Sequence, residues 1–243
     1  MSENDLPASG RSPVDRFDED GGVPQRRFRP LDGSTTLYLV RHGATEPAHP
    51  ERPFPTVQGH GDPALAPEGR EQSGLVSKRL AEEHARDPFD AVYVTSLRRT
   101  TETIEPFLAA TGLAAVVEHD LREVHLGDYE GGLLRLKGAE GDPVVREVYT
   151  SERWDVIPGA EVWEDFQGRC VAAVERIVEA HRGRRIIAVV HGGVITAVLS
   201  HVASARNFAF VSADNTSINE IVLLPEPIDR WVLRRFNDVT HLD

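Results

Sequence analysis

The stretch RRIIAVVHGG, residues 184–193, narrows the possible folds more than any other part of this chain. Ile186 to Val190 are consecutive apolar residues, mostly β-branched, with no polar alternation. A strand of that kind has no solvent face. It belongs in a parallel sheet covered on both sides, because the helices that connect parallel strands bury both faces. The run stops abruptly at His191, Gly192 and Gly193, and an apolar stretch of helical character, VITAVLSHVA, follows. Near the start of the chain TTLYLVRHG repeats the arrangement, ending on Arg41, His42 and Gly43. Glycine after each histidine lets backbone approach a ligand closely and leaves amide donors open.

Between these two strands, short β-like runs alternate with longer amphipathic stretches, which predicts an α/β layered domain. A helix is expected from Pro67, a residue tolerated at the first helical position, with Leu75, Arg79, Leu80 and His84 marking its spacing. FDAVYVTS is the second strand, and a helix follows across LRRTTETIEPFLAATG. Pro106 lacks a backbone donor and predicts a kink or an early stop there. AAVVEHDLREV reads as a third, short strand before the glycine-rich HLGDYEGG. The segment containing YTSERWDVIPGAEV reads as irregular. Val162, Phe166, Cys170, Val174, Ile177 and His181 then recur at helical spacing, which makes Cys170 a core residue rather than a nucleophile. SINEIVLLP and WVLRRFND are the last two strands, with Pro225 and Pro227 in the turn between them.

The formal charge is −12 over 243 residues, a balance that repels nucleic acid and anionic membranes, so any phosphate must be held by a local basic pocket. One cysteine excludes an internal disulfide framework and suits a reducing compartment. No apolar run is long enough to span a bilayer and no signal-like core is visible, so a soluble, cytoplasmic protein is expected. Residues 1–33 are rich in Pro, Gly and charge and are expected to form a flexible tail, with docking through Phe17 or Phe28 as the alternative. The folded domain is expected over 34–243. The oligomeric state is open.

Strand ends carry the chemistry. In open α/β sheets ligands bind at the carboxyl edge, which is where His42 and His191 are delivered. VYVTSLRRTTET adds Arg98 and Arg99 just beyond the second strand, and LREVHLGDYEGG adds Glu123 beyond the third. Arginine matches phosphate oxygens in a bidentate fashion. A histidine acts as a nucleophile when neutral or as a cationic donor when protonated. A glutamate beside a phosphate dianion has its pKa raised by like charge, and could serve as a general acid.

LYLVRHGAT, VQGHGDPALAPEGREQ, TSLRRTTET, LREVHLGDYEGG and VVHGGVITAVL, in this order, resemble the histidine phosphatase superfamily, the branch of cofactor-dependent phosphoglycerate mutases and related phosphatases. The resemblance covers the chain from about Thr35 onward. It implies a three-layer α/β/α sandwich with a mostly parallel central sheet, and a small phosphorylated metabolite as substrate. It makes His42 the residue transiently phosphorylated, Arg41 and Arg99 the phosphate clamp, Glu123 the proton donor and His191 the second histidine. It implies no metal and no cofactor. Gln58 and Gly192 are candidate substrate contacts, and Arg98 falls on a variable position.

Taken alone, a histidine at a strand end is more often a satisfied core residue; the five stretches together favour the functional reading. The remaining histidines show no HxH or HExxH spacing. Glu161 reads equally well as a helix-start residue and as a pocket neighbour, and Trp154 and Trp163 are expected to pack. Two stretches depart from the pattern. Pro47 and Ala48 stand where many relatives have an asparagine that binds phosphate, with His49 or Arg52 as substitutes, and PGAEV lacks the usual second glycine and serine. Hydrolysis is favoured over mutase action because LREVHLGDYEGG and HGGVITAVL resemble the phosphatase forms, and an inactive binding module of the same fold is the third reading.

Overall fold

In the computed structural model, which describes residues 22, 25 and 28–243, the apolar runs become strands and the amphipathic stretches helices. β1 (Thr35–Arg41) is followed by two short strands, β2 (Thr56–Val57) and β3 (His60–Gly61), and by α1 (Pro67–Arg86). Next come β4 (Ala91–Val94), α2 (Arg98–Thr111) and β5 (Ala115–Val117). Two single 3-10 turns, His119–Leu121 and Gly127–Tyr129, precede α3 (Leu133–Glu140), α4 (Pro143–Ser151) and α5 (Trp163–Ala180). The chain closes with β6 (Arg185–Val190), α6 (Gly192–Val202), β7 (Ile218–Leu223) and β8 (Trp231–Asp238).

The six-stranded sheet runs in the order β5-β4-β6-β1-β7-β8. β5, β4, β6 and β1 are parallel, while β7 is antiparallel to β1 and β8 to β7. β6 lies in the middle of the parallel part and is buried along nearly its whole length, as its unbroken apolar run requires. Ile186, Ala188 and Val190 join the layer of α5 and α6 on one face. Ile187 and Val189 meet Val76 and Leu80 of α1 and Ile104 and Phe107 of α2 on the other. Helices on both faces make three layers, α/β/α. Phe166, Cys170, Val174 and Ile177 form the buried stripe of α5, and removing a side chain such as Phe166 costs roughly 3–5 kcal/mol.

Three local expectations need correction. Of the kink or early stop expected at Pro106, the stop does not occur: α2 continues to Thr111. The carbonyl of Glu102, which a non-proline residue at 106 would have engaged, instead accepts from Ser73 Oγ of α1 at 3.2 Å. The segment read as irregular begins inside a second helix, α4. α3 fully buries no residue and α4, nine residues long, only Val148, so neither is long enough to show a sustained buried stripe, although Asp142 caps Val144 N at 2.8 Å with Pro143 behind it. In α1 the buried stripe is Gly69, Ser73, Val76, Ser77 and Leu80, and Leu75 faces solvent.

Most of the expected tail, with Phe17, lies outside the described residues. Phe28 is described, with the Arg234 guanidinium 4.2 Å above its ring. No helix among the described residues is long and apolar enough to cross a membrane.

Candidate active site

Strand register brings the two histidines together. β1 and β6 pair so that Arg41 lies opposite Val190, and His42 N donates to Val190 O at 3.0 Å. The next residue on each strand is therefore a histidine at the carboxyl edge. Their ring centroids are 5.2 Å apart, inclined at 61°. The turn after β1 is fixed from both sides. Gly43 N donates to Thr103 Oγ1 of α2 at 2.9 Å and Ala44 N to Gln72 Oε1 of α1 at 2.9 Å. Asn215 Nδ2 donates to His42 O at 2.8 Å.

His42 is 5 % exposed, and its Nδ1 lies 2.8 Å from Gly43 O. A carbonyl only accepts, so Nδ1 carries the proton and Nε2 of the neutral ring keeps its lone pair. Burial, followed by the fields of Arg99 and Arg41, holds the His42 pKa well below its ordinary value. The ring is therefore neutral at pH 7 and nucleophilic at Nε2. His191 is wholly buried and its pKa is lowered by the same burial and by Arg99. Its Nε2 meets Thr95 Oγ1 at 3.0 Å, while its Nδ1 is buried with no protein partner among the described residues.

Arg41 and Arg99 close on the histidines from β1 and from the first turn of α2. Arg41 NH1 donates to Ala213 O, and its buried Nε has no partner among the described residues. Arg99 is 6 % exposed, and its NH1 donates to Gly61 O at 2.9 Å. Burial lowers the Arg99 pKa to about 10, so it stays cationic at pH 7. The buried Nε–H of Arg41, left without an acceptor among the described residues, is a donor that a tetrahedral oxyanion would satisfy. Glu123 Oε1 accepts from Val124 N at 3.0 Å and Oε2 from Gly193 N at 3.2 Å. Burial raises its pKa against the pull of those two N–H groups and of the arginines. Its displacement toward the neutral acid thus comes first from burial and does not wait for a phosphate dianion, as the sequence argument supposed.

Arg41, His42, Arg99, Glu123 and Gly192 meet in a cavity of about 340 Å³, whereas His191, wholly buried beside His42, is not among the residues that line it. The histidine phosphatase superfamily (branch 1) profile matches residues 37–239. The chain belongs to that superfamily. Over 211 residues it is 36% identical to phosphoglycerate mutase-like protein 4 of Arabidopsis thaliana, covering 85% of this chain and 86% of the relative. It is 31% identical over 211 residues to a metal-independent phosphoserine phosphatase of the same plant, covering 86% of this chain and 83% of the relative. The crystal structure of phosphoglycerate mutase from Bacillus anthracis superposes with a TM-score of 0.69 at 24% identity, covering 87% of this chain and 96% of that one, a likeness of fold.

Within this histidine phosphatase fold some rim residues depart from expectation. Gln58 is exposed, adopts φ 51° and presents Oε1 to the Arg122 guanidinium, so it is not part of the cavity wall. Its neighbour His60 does line the cavity. Gly192 lies against Arg41, whose Nε is 3.5 Å from where a Cβ would stand. His49 and Arg52 pair with each other in the loop and do not reach the cavity. Arg135 of α3 does, held by bonds to Thr45 Oγ1 at 2.8 Å and Glu46 O at 3.2 Å and stacked 5.5 Å from the Phe54 ring centroid. No sequence signal marked Arg135, because it stands on a helix without a buried stripe. Arg98 stays at the surface, paired with Glu102 at 2.8 Å. Trp163 packs as expected, and Trp154 packs while also lining the cavity. Cys170 is fully buried, which pushes its thiol pKa up and leaves it inert. Among the described residues no group of three or more His, Cys, Asp and Glu side chains is placed to hold a metal ion.

Proposed function

We propose that this chain is a metal-independent phosphomonoesterase that hydrolyses a small phosphorylated metabolite through a phosphohistidine at His42. The observation that carries the reading is the clamp of His42 Nδ1 on Gly43 O, which leaves Nε2 as the lone-pair atom of a ring that shares one cavity with Arg41, Arg99 and Glu123, an acid of raised pKa. Nε2 attacks phosphorus in line and the bond from phosphorus to the ester oxygen breaks. Glu123 gives its proton to the departing alkoxide. Glu123, now a carboxylate, takes a proton from water as that water attacks the phosphohistidine, and inorganic phosphate leaves. Arg41, Arg99 and His191 stabilise the charge on the equatorial oxygens, the task metal ions perform elsewhere. Arg135 adds a third cation at the rim, where a negatively charged leaving group is accommodated.

The test is phosphate release from a panel of small alkyl phosphomonoesters, with His42→Ala as control. Release by wild type and none by the variant is the expected result. Interconversion of phosphoglycerate isomers without release favours the mutase, for which the similarity to phosphoglycerate mutase-like protein 4 speaks. Inertness in both assays leaves a binding module.

A further inference from the structure

Glu123 works only if its carboxyl is held against the leaving oxygen, yet its own element is a short loop. That loop is gripped from α5 by one guanidinium. Arg169 NH1 donates to Asp120 O at 2.6 Å and to Arg122 O at 2.9 Å, and NH2 donates to Glu123 O at 3.0 Å. The remaining donors go to Glu161: Nε to Oε1 at 2.6 Å and NH2 to Oε2 at 2.8 Å. All five N–H groups of the fork are thus engaged. Glu161 extends the grip, because its Oε2 accepts from His125 N at 3.2 Å and its N donates to His125 O at 2.9 Å. The guanidinium also lies 4.8 Å over the Phe166 ring of the same helix. Every backbone carbonyl it takes belongs to the four residues ending at Glu123. Neither Arg169 nor Glu161 lines the cavity.

We propose that the Arg169–Glu161 pair is a positioning device for the proton donor, holding the 120–125 backbone so that the Glu123 carboxyl meets the leaving oxygen. This role rests on the phosphomonoesterase reading, in which Glu123 protonates the alkoxide. The fork satisfies three carbonyls that no shorter cation reaches together, and a planar guanidinium fixes their directions as well as their distances. A neutral side chain at 169 would take the guanidinium donors from those carbonyls and the cation from the Glu161 carboxylate at once, and the loop would relax to rehydrate them. A displacement of about 1 Å at a reacting group can cost on the order of a hundredfold.

A purely structural role would slow all substrates alike, whereas a misplaced acid harms only esters whose leaving group needs a proton. The experiment therefore compares kcat/KM, which reports phosphoryl transfer to His42 and not the later hydrolysis. The two substrates are para-nitrophenyl phosphate, whose phenolate departs unprotonated, and the best alkyl ester of the panel above. For Arg169→Met the ratio of aryl to alkyl kcat/KM should rise at least about tenfold over wild type. Glu161→Gln, nearly isosteric, should move it in the same direction and carries the test if Arg169→Met does not fold. An unchanged ratio in the folded variants overturns the positioning role while leaving the phosphatase reading intact. A wild-type chain inert toward both esters overturns the phosphatase reading, and the positioning role with it.

Discussion

Gly69→Ala sets two magnitudes against each other. Gly69 is the third residue of α1, where helix propensity alone favours alanine by roughly 0.8–1.0 kcal/mol. Packing opposes it. A Cβ at 69 would stand 1.9 Å from Ala44 O, 2.8 Å from Ala44 C and 2.9 Å from Ala44 N, all backbone atoms that no rotamer change can move. To restore contact the turn after His42 must retreat by about 1 Å, and overpacking of this kind costs typically 1–3 kcal/mol. The retreat also strains Ala66 N to Ala44 O at 2.9 Å, Ala44 N to Gln72 Oε1 and Gly43 N to Thr103 Oγ1, each worth about 1 kcal/mol. The clash outweighs propensity. Gly69→Ala is expected to lose about 1–3 kcal/mol, seen as a melting point lower by roughly 3–10 °C. Because His42 lies two residues from Ala44, kcat/KM should fall on the order of a hundredfold. Gly74→Ala, in the same helix with nothing within 4 Å of its Cβ, is the control and should gain up to about 1 kcal/mol at full activity. Equal stability and activity of the two variants in thermal melts and phosphate-release assays would refute the packing argument.

Arg135→Ala should raise KM for anionic phosphomonoesters by about tenfold, with a smaller change in kcat, since Arg135 lies at the rim and not between the histidines; a loss confined to kcat would contradict that placement. Folding stability should fall as pH drops below about 6.5, because the unfolded chain there takes up protons that buried His42 and His191, with lowered pKa values, refuse. His42→Gln should show a shallower decline in urea titrations between pH 7 and 5, and an identical slope would show that His42 titrates normally. Raising pH should weaken kcat/KM for alkyl esters as Glu123 loses its proton, a limb that Glu123→Gln should abolish along with most of the rate. Activity should survive exhaustive chelation, since the arginines supply the charge neutralisation; a chelator-sensitive rate restored by a divalent cation would be the contrary result.

Ile186 to Val190 determined, without any tertiary information, that a doubly covered parallel sheet had to form, because a strand with no polar face has nowhere else to go. The same local chemistry placed His42, His191, Arg99 and Glu123 just beyond strand ends, and the carboxyl edge of such a sheet is where loops converge. What local chemistry could not contain is long-range register. His42 and His191 meet because β1 pairs with β6 at Arg41 and Val190, a match between strands almost 150 residues apart. Arg135 reaches the cavity from a helix with no fully buried residue, so no periodicity announced it, while Gln58 meets Arg122 outside the cavity wall. The hold of Arg169 on the acid loop is likewise invisible in one dimension, where it reads as one more arginine on the polar side of a helix. Sequence pattern reports what each segment must bury; which polar groups then face one another is decided only when the buried surfaces dock, since a hydrogen bond depends on angles and ångströms that hydrophobic periodicity does not encode.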